Sequence, residues 1–304
     1  MQAIRRLVLA VGLLAMPLLS QAALKVVATT QDLAALAQAV GRDRVEVISL
    51  TPGTRDPHYA EAKPSMIRQV YQADLLLLVG AELEIGWLPP LLQAARNPRV
   101  LPGSAGYLDL SGTVPLLGVP GAPVTRAMGD VHAQGNPHYW LNPANGLRMA
   151  QAIATRLSAL DGAHAMEYQT NLASFEQLLQ ARMTAWQAAL APLKGKPVIA
   201  YHSSFLYLAD AFGLVIADQV EPVPGIAPGV AHLQKLVARI KADQVRLLIM
   251  ETYYERRSAG YLAEQTGIKV AVLPNSVGST PEIATYFDLF DGIVAALQKS
   301  GALK

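Results

Sequence analysis

The sequence predicts an α/β protein of two (βα)4 lobes with parallel sheets, joined by one long rigid linking helix. Short and mostly apolar runs recur in both halves of the chain, as is typical of strands buried on both faces of a sheet. Helical patterns lie between these runs, which predicts βα units. One longer amphipathic pattern separates the halves, and 304 residues are enough for two such lobes.

The first element is a pattern typical of a secretory signal peptide. Arg5 and Arg6 precede an apolar run over 7–19, and Ser20-Gln21-Ala22 follows it. Because this run is shorter than the roughly 20 residues that span a bilayer, we expect cleavage after Ala22 and assign 1–22 to the leader.

The charge balance and the absence of cysteine limit which partners and which cellular compartment we expect for the mature chain. The chain has 25 basic and 23 acidic residues, and loss of the two leader arginines leaves 23 of each, which indicates no nucleic-acid partner. There is no cysteine, so we expect no disulfide, no thiolate metal site and no lipid-modified cysteine anchor. The sequence predicts an exported monomer located in the periplasm.

Four strands are predicted in the first lobe, assigned to 23–163. They lie at 24–30, 44–50 and 73–80, with a weaker candidate at 99–103, and helical patterns cover 32–40 and 63–72. The segment 103–135 is rich in Gly, Pro and Val without periodicity, which indicates a long functional loop.

The linking helix is predicted over 164–191. Apolar residues recur there at spacings of three and four and give a helix of about 27 residues, or roughly 40 Å. They are Tyr168, Leu172, Phe175, Leu179, Met183, Trp186 and Leu190. No Gly/Ser hinge adjoins this segment, so we expect the lobes to move little relative to one another.

Four more strands are predicted in the second lobe, assigned to 192–304. They lie at 196–202, 214–220, 244–251 and 268–275, and helical patterns cover 230–241 and 258–266. The second lobe is therefore predicted to repeat the alternation of strands and helices in the first lobe.

Three of the six histidines fall where predicted strands end. His58 follows the second strand, His138 follows the fourth strand through the long loop, and His202 closes the fifth. Ligands of parallel α/β sheets bind at that edge, and neutral imidazole is a common zinc ligand. A single such histidine is more often a hydrogen-bonded loop residue, but three together favour a site for one metal ion.

Two polar residues precede these histidines by two positions. Asp56 and Asn136 stand in "DPH" and "NPH", where each could accept a hydrogen bond from the imidazole or cap the local turn.

The chain resembles the zinc- and manganese-type (cluster A-I) solute-binding proteins of ABC metal importers. The resemblance covers the mature chain through "DPHYAEAKPS", "ADLLLLVGAELE", "NPHYWLNP", "YHSSFLYLADAFGL", "EPVPGIAPGVAHL" and "YLAEQTGIKVAVL". It implies one metal between the lobes, held by His58, His138 and His202. It also implies delivery to a membrane permease, with a periplasmic metallochaperone as a further candidate partner.

The fourth ligand departs from the family pattern. Many members supply an Asp or Glu after the last strand, where this chain has Asn275. Water or Glu251 could complete the site, although a supporting or helix-capping role for Glu251 is the favoured reading. The scarcity of carboxylates favours zinc over manganese. His132 is either an accessory group for metal capture or an ordinary loop histidine.

Three alternative functions are open from the sequence. One is a manganese-binding member of the same family, and another is an adhesin or a zinc chaperone that works without a transporter. The third is a zinc hydrolase with a metal-bound water and Glu251 as base, but no other catalytic partner is evident, so we expect a binding protein without enzymatic activity.

Overall fold

A computed structural model describes residues 22–125 and 128–302. Residues 1–21 of the predicted signal peptide lie outside this range. Within it, no helix combines the length and the apolar character needed to cross a membrane.

The first lobe contains a four-stranded parallel sheet in the order β2-β1-β3-β4. The strands are β1 (Leu24–Ala28), β2 (Val45–Ser49), β3 (Leu75–Leu78) and β4 (Tyr107–Asp109). The helices are α1 (Gln31–Gly41), α2 (Pro64–Gln72), α3 (Leu88–Ala95) and α4 (Pro143–Leu160). All four residues of β3 are buried, as its uniformly apolar sequence predicted.

The predicted fourth strand at 99–103 is wrong. Pro98–Val100 forms a 3-10 turn, because Pro98 has no N–H for a sheet and the Asn97 side chain accepts a hydrogen bond from the Arg99 N–H. The strand lies later, at Tyr107–Asp109, where it pairs with β3 at the edge of the sheet.

The linking helix is present as α5 (Ala165–Leu190), a helix of 26 residues. Its buried positions follow the predicted stripe, with Tyr168, Phe175, Leu179, Trp186 and Leu190 facing the core. The helix packs against α4 and α1 of the first lobe and against α9 (Tyr286–Ser300) of the second.

The second lobe repeats the arrangement of the first, with strand order β6-β5-β7-β8. Its strands are β5 (Pro197–Ala200), β6 (Val215–Gln219), β7 (Leu247–Glu251) and β8 (Lys269–Leu273). Its helices are α6 (Leu206–Phe212), α7 (Val230–Ala242), α8 (Arg257–Thr266) and α9. Two four-stranded parallel sheets and a long helix therefore confirm the predicted fold class.

One hydrophobic cluster passes through both lobes and the linking helix, and a smaller cluster lies within each lobe. The larger cluster contains Leu33 of α1, Phe175 of α5 and Phe290 of α9, all nearly inaccessible to solvent. The Phe175 ring lies 5.1 Å from that of Phe287, between ring centroids. The two lobes are thus held together by continuous packing.

Candidate metal centre

The three predicted histidines sit on short turns beside the strand ends. His58 lies in the 3-10 turn Pro57–Tyr59 after β2, and His138 immediately precedes the 3-10 turn Tyr139–Leu141. His202 comes two residues after β5. All three side chains are buried, with residue exposures of 8 %, 1 % and 0 % in that order.

These three side chains meet at one point. One ring nitrogen from each of His58, His138 and His202 lies within 4.8 Å of the other two. Ring centroids are 5.2 Å apart for His58 and His138, 5.9 Å for His58 and His202, and 5.4 Å for His138 and His202. Among the His, Asp and Glu residues that the structure describes, this is the group that could hold a cation.

In the first lobe, Asp56 and Asn136 fix the orientation of two rings. Asp56 Oδ1 is 2.7 Å from His58 Nδ1, and Asn136 Oδ1 is 3.0 Å from His138 Nδ1. Each oxygen also accepts a hydrogen bond from the backbone N–H of its histidine, so each residue both caps the turn and holds the ring. Since the oxygens are acceptors, each Nδ1 donates a hydrogen bond to its partner, and Nε2 is the ring nitrogen left for a metal ion.

Glu221 has the same role in the second lobe. Its Oε2 is 2.7 Å from His202 Nδ1 and also accepts a hydrogen bond from the Gly225 N–H at 2.8 Å. Sequence reasoning did not identify this residue as part of the site. The available signal was a carboxylate two residues after β6, at the same sheet edge as the histidines.

One nitrogen of the site has no partner in the described chain. His138 Nε2 is buried and forms no hydrogen bond there. A buried polar atom without a partner is uncommon, because its desolvation is not compensated. A cation among the three rings would accept its lone pair, so the donor set fits a metal ion.

Burial and charge set the protonation of the rings. Burial lowers the pKa of His138 well below its ordinary value, with a further contribution from the neighbouring His58. For His202, burial favours the neutral ring, but the hydrogen bond to Glu221 and the charge of Glu251 outweigh it and raise the pKa. His138 is therefore neutral and ready to act as a ligand without losing a proton.

The two candidate fourth ligands occupy different surroundings. Glu251 is buried at the end of β7, where burial outweighs the charge of His202 and raises its pKa to about 7. Its carboxylate lies outside the group of ligand atoms formed by the three histidines. The backbone carbonyl of Asn275 accepts a hydrogen bond from Trp140 Nε1 at 2.9 Å, and its side-chain oxygen lies 3.5 Å from Thr252 Oγ1.

His132 lies beside the group, although it is not a member of it. Its Nε2 is 3.1 Å from His58 Nε2, and the two rings are stacked with centroids 5.2 Å apart. Burial lowers the pKa of His132 to about 4, with His58 contributing in the same direction, so this ring is neutral at pH 7.

Comparison with known proteins matches this chain to metal-transport proteins, in agreement with a metal site at the three histidines. The family model for zinc-uptake complex component A, periplasmic (ZnuA), matches residues 26–300. The chain is 28 % identical over 252 residues to FimA, a metal ABC transporter substrate-binding lipoprotein of Streptococcus parasanguinis, covering 81 % of this chain and 78 % of FimA.

Relatives named for zinc and for manganese both appear. ZnuA of Brucella abortus (strain 2308), a high-affinity zinc uptake system protein, is 31 % identical over 136 residues, covering 45 % of this chain and 41 % of that protein. The manganese ABC transporter substrate-binding lipoprotein PsaA of Streptococcus pneumoniae is 27 % identical, covering 81 % and 78 %.

A solved structure shows the same fold. The crystal structure of a ZnuA superposes with a TM-score of 0.74 at 26 % identity, covering 93 % of this chain and all of the other. Since the family model spans most of the sequence, the chain belongs to the family of periplasmic zinc-uptake component A proteins.

Proposed function

We propose that this protein binds one zinc ion in the periplasm and delivers it to the membrane permease of an ABC importer. The observation that carries the proposal is the convergence of one ring nitrogen from each of three buried histidines, together with the unpartnered Nε2 of His138. His58 and His138 come from the first lobe and His202 from the second, so one ion would be held between the lobes.

Zinc suits this donor set better than manganese. The group of ligand atoms within 4.8 Å contains three imidazoles and no carboxylate among the described residues. Zinc accepts nitrogen ligands in a tetrahedral site, whereas manganese favours oxygen-rich octahedral sites. Relatives named for either metal exist, so this preference rests on the ligands of the present chain.

Delivery without catalysis is supported by the relatives, which are named as uptake and transporter substrate-binding proteins. We therefore propose a binding protein that works with a permease and its ATPase, and no enzymatic role.

Zinc titration against a competing chelator tests the proposal. We expect one tightly bound Zn²⁺ per chain, weaker Mn²⁺ binding, and an affinity loss of more than about 100-fold in each of His58→Ala, His138→Ala and His202→Ala. His164→Ala is the matched control, because it removes a histidine that is not part of the site. The ring nitrogen of His164 contacts Asp161 at the start of the linking helix. The proposal would be contradicted if the wild type did not bind zinc tightly. It would also be contradicted if the three single variants bound zinc as tightly as the control.

A further inference from the structure

The turn 80–82, which follows β3, has a rare backbone conformation. All three of its residues have a positive φ, of 71° at Gly80, 47° at Ala81 and 67° at Glu82. Glycine adopts this region without steric cost, whereas other residues do so at a cost and usually singly. Backbone of this kind persists only where the surrounding contacts impose it, and it is concentrated at functional sites.

A buried carboxylate holds this turn. Glu84 is 3 % exposed, and its Oε1 accepts hydrogen bonds from the Thr29 hydroxyl at 2.6 Å and from the Val79 N–H at 2.8 Å. Its Oε2 accepts a hydrogen bond from the Gly80 N–H at 3.0 Å. Thr29 follows β1 and Val79 follows β3, so the carboxylate joins the carboxyl ends of two neighbouring strands.

Burying this carboxyl group is unfavourable. Burial raises the pKa of Glu84 to about 7, although the hydrogen bonds lower it. An apolar side chain would fill the same space without the cost of desolvating a charge. The carboxylate is therefore better explained by the backbone groups that it fixes than by a contribution to the stability of the core.

One series of hydrogen bonds leads from this carboxylate to the turn that carries His138. Val79 donates its N–H to Glu84, and its carbonyl accepts a hydrogen bond from the hydroxyl of Tyr139. Tyr139 is the residue after His138 and is fully buried. Because the surroundings are closely packed, a displacement of Val79 also displaces the backbone beside this ligand.

A second series leads to the turn that carries His58. The Trp87 N–H donates to the Glu84 carbonyl at 3.1 Å, and the Trp87 indole Nε1 donates to the Pro57 carbonyl at 3.0 Å. Pro57 is the residue before His58, in the same 3-10 turn. The loop that Glu84 holds is thus bonded to the backbone next to both histidines of the first lobe.

We propose that Glu84 is a positioning residue of the metal centre, which fixes His58 and His138 at the separation that a shared zinc ion requires. The inference rests on the proposed function and extends it to a residue that acts through its neighbours. His202 belongs to the other lobe and has its own partner in Glu221, so a change at Glu84 alters the first-lobe half of the site.

Glu84→Gln tests the assignment, because the amide keeps the size of the side chain but turns an NH₂ group toward one of the three donors. We expect zinc affinity, measured by competition with a chelator, to fall about 10-fold relative to wild type. Leu91→Ala is the matched control, because Leu91 is 1 % exposed in the core of the same lobe and lies outside the turn. A substitution that destabilises the metal-free and zinc-bound forms equally leaves the affinity unchanged, so we expect the control to bind within about two-fold of wild type.

Tyr139→Phe tests the connection to His138 and decides the question if Glu84→Gln does not fold. This variant keeps the ring and the carboxylate but removes the hydroxyl that bonds to Val79. We expect its zinc affinity to fall by about 3- to 10-fold.

Two results would overturn the role of Glu84 and leave the proposed function intact. One is zinc binding as tight as that of wild type in Glu84→Gln or in Tyr139→Phe. The other is an equal loss of affinity in Leu91→Ala, which would show that the effect follows stability alone. Absence of tight zinc binding in the wild type would instead contradict the proposed function.

Discussion

At the scale of single residues, three different side chains impose one ring orientation. An aspartate, an asparagine and a glutamate each accept a hydrogen bond from Nδ1 of one site histidine, which leaves Nε2 of each ring as the nitrogen that can bind a metal ion. A carboxylate partner makes an imidazole a more basic ligand. The partner of His138 is a neutral amide, and burial lowers the pKa of that ring.

The contact between Glu221 and His202 gives the first prediction. Glu221→Gln replaces the carboxyl, whose Oε2 accepts from both His202 Nδ1 and the Gly225 N–H, with a neutral amide. We expect zinc affinity to fall by about 10- to 100-fold, measured by competition with a chromophoric chelator. Glu167→Gln is the matched control, because Glu167 is an exposed partner of Arg44. An affinity equal to that of the control would show that Glu221 does not orient the ring.

Sequence spacing identified the site residues that lie close to their histidines along the chain, but not those that lie many positions away. Asp56 and Asn136 stand two residues before their histidines, so their contacts were predicted from spacing. Glu221 reaches His202 across 19 positions, and only the parallel pairing of β5 with β6 brings the two together. The contact between His132 and His58 depends on the fold of the whole loop and could not be inferred from spacing.

At the scale of elements, the linking helix is the feature that its sequence specifies most fully. Its apolar spacing predicted both its length and its buried face, because a helix of this length repeats the pattern seven times. Strand β4 is the opposite case. It has three residues at a sheet edge, none of them buried, so no alternation or apolar run marks its position.

Adjacent leucines test the phase of the linking helix. Leu179 is 1 % exposed and faces the core, whereas Leu178 is 44 % exposed. We expect Leu179→Ala to lower the free energy of unfolding by about 2 to 5 kcal/mol. We expect Leu178→Ala to change it by less than about 1 kcal/mol. Urea denaturation of the two variants measures the difference, and similar losses in both would contradict the orientation of the helix.

At the scale of the whole molecule, buried polar contacts join the lobes near the site. Asp32 of α1 accepts hydrogen bonds from the Val277 N–H at 2.9 Å and from the Ser276 hydroxyl at 2.6 Å. Trp140 Nε1 donates to the Asn275 carbonyl close by. Since these contacts span the lobes beside His138, the geometry of the metal centre depends on how the lobes are docked.

Because Asp32 is buried between the lobes, we expect its carboxyl group to make the stability of the folded protein depend on pH. Burial, only partly offset by the hydrogen bond from Ser276, raises its pKa from 3.8 to about 7. The folded protein therefore holds this proton more tightly than the unfolded chain, and stability falls as pH rises from about 4 to about 7. Asp32→Asn keeps an oxygen acceptor without the charge.

The comparison is made on metal-free protein by urea denaturation at pH 5 and pH 8. We expect the unfolding free energy of Asp32→Asn, relative to wild type, to increase by about 2 to 3 kcal/mol between these values. Other titrating groups cancel in the difference between the two proteins. A difference that does not change with pH would show that Asp32 is ionised in the folded state.

The most direct test of the metal centre is a crystal structure of the zinc-saturated protein, with anomalous maps on both sides of the zinc edge. We expect one zinc peak per chain between the lobes, bonded at about 2.0 to 2.1 Å to Nε2 of His58, His138 and His202. A zinc peak elsewhere, or three imidazoles left without a shared ion at saturating zinc, would contradict the assignment of this site.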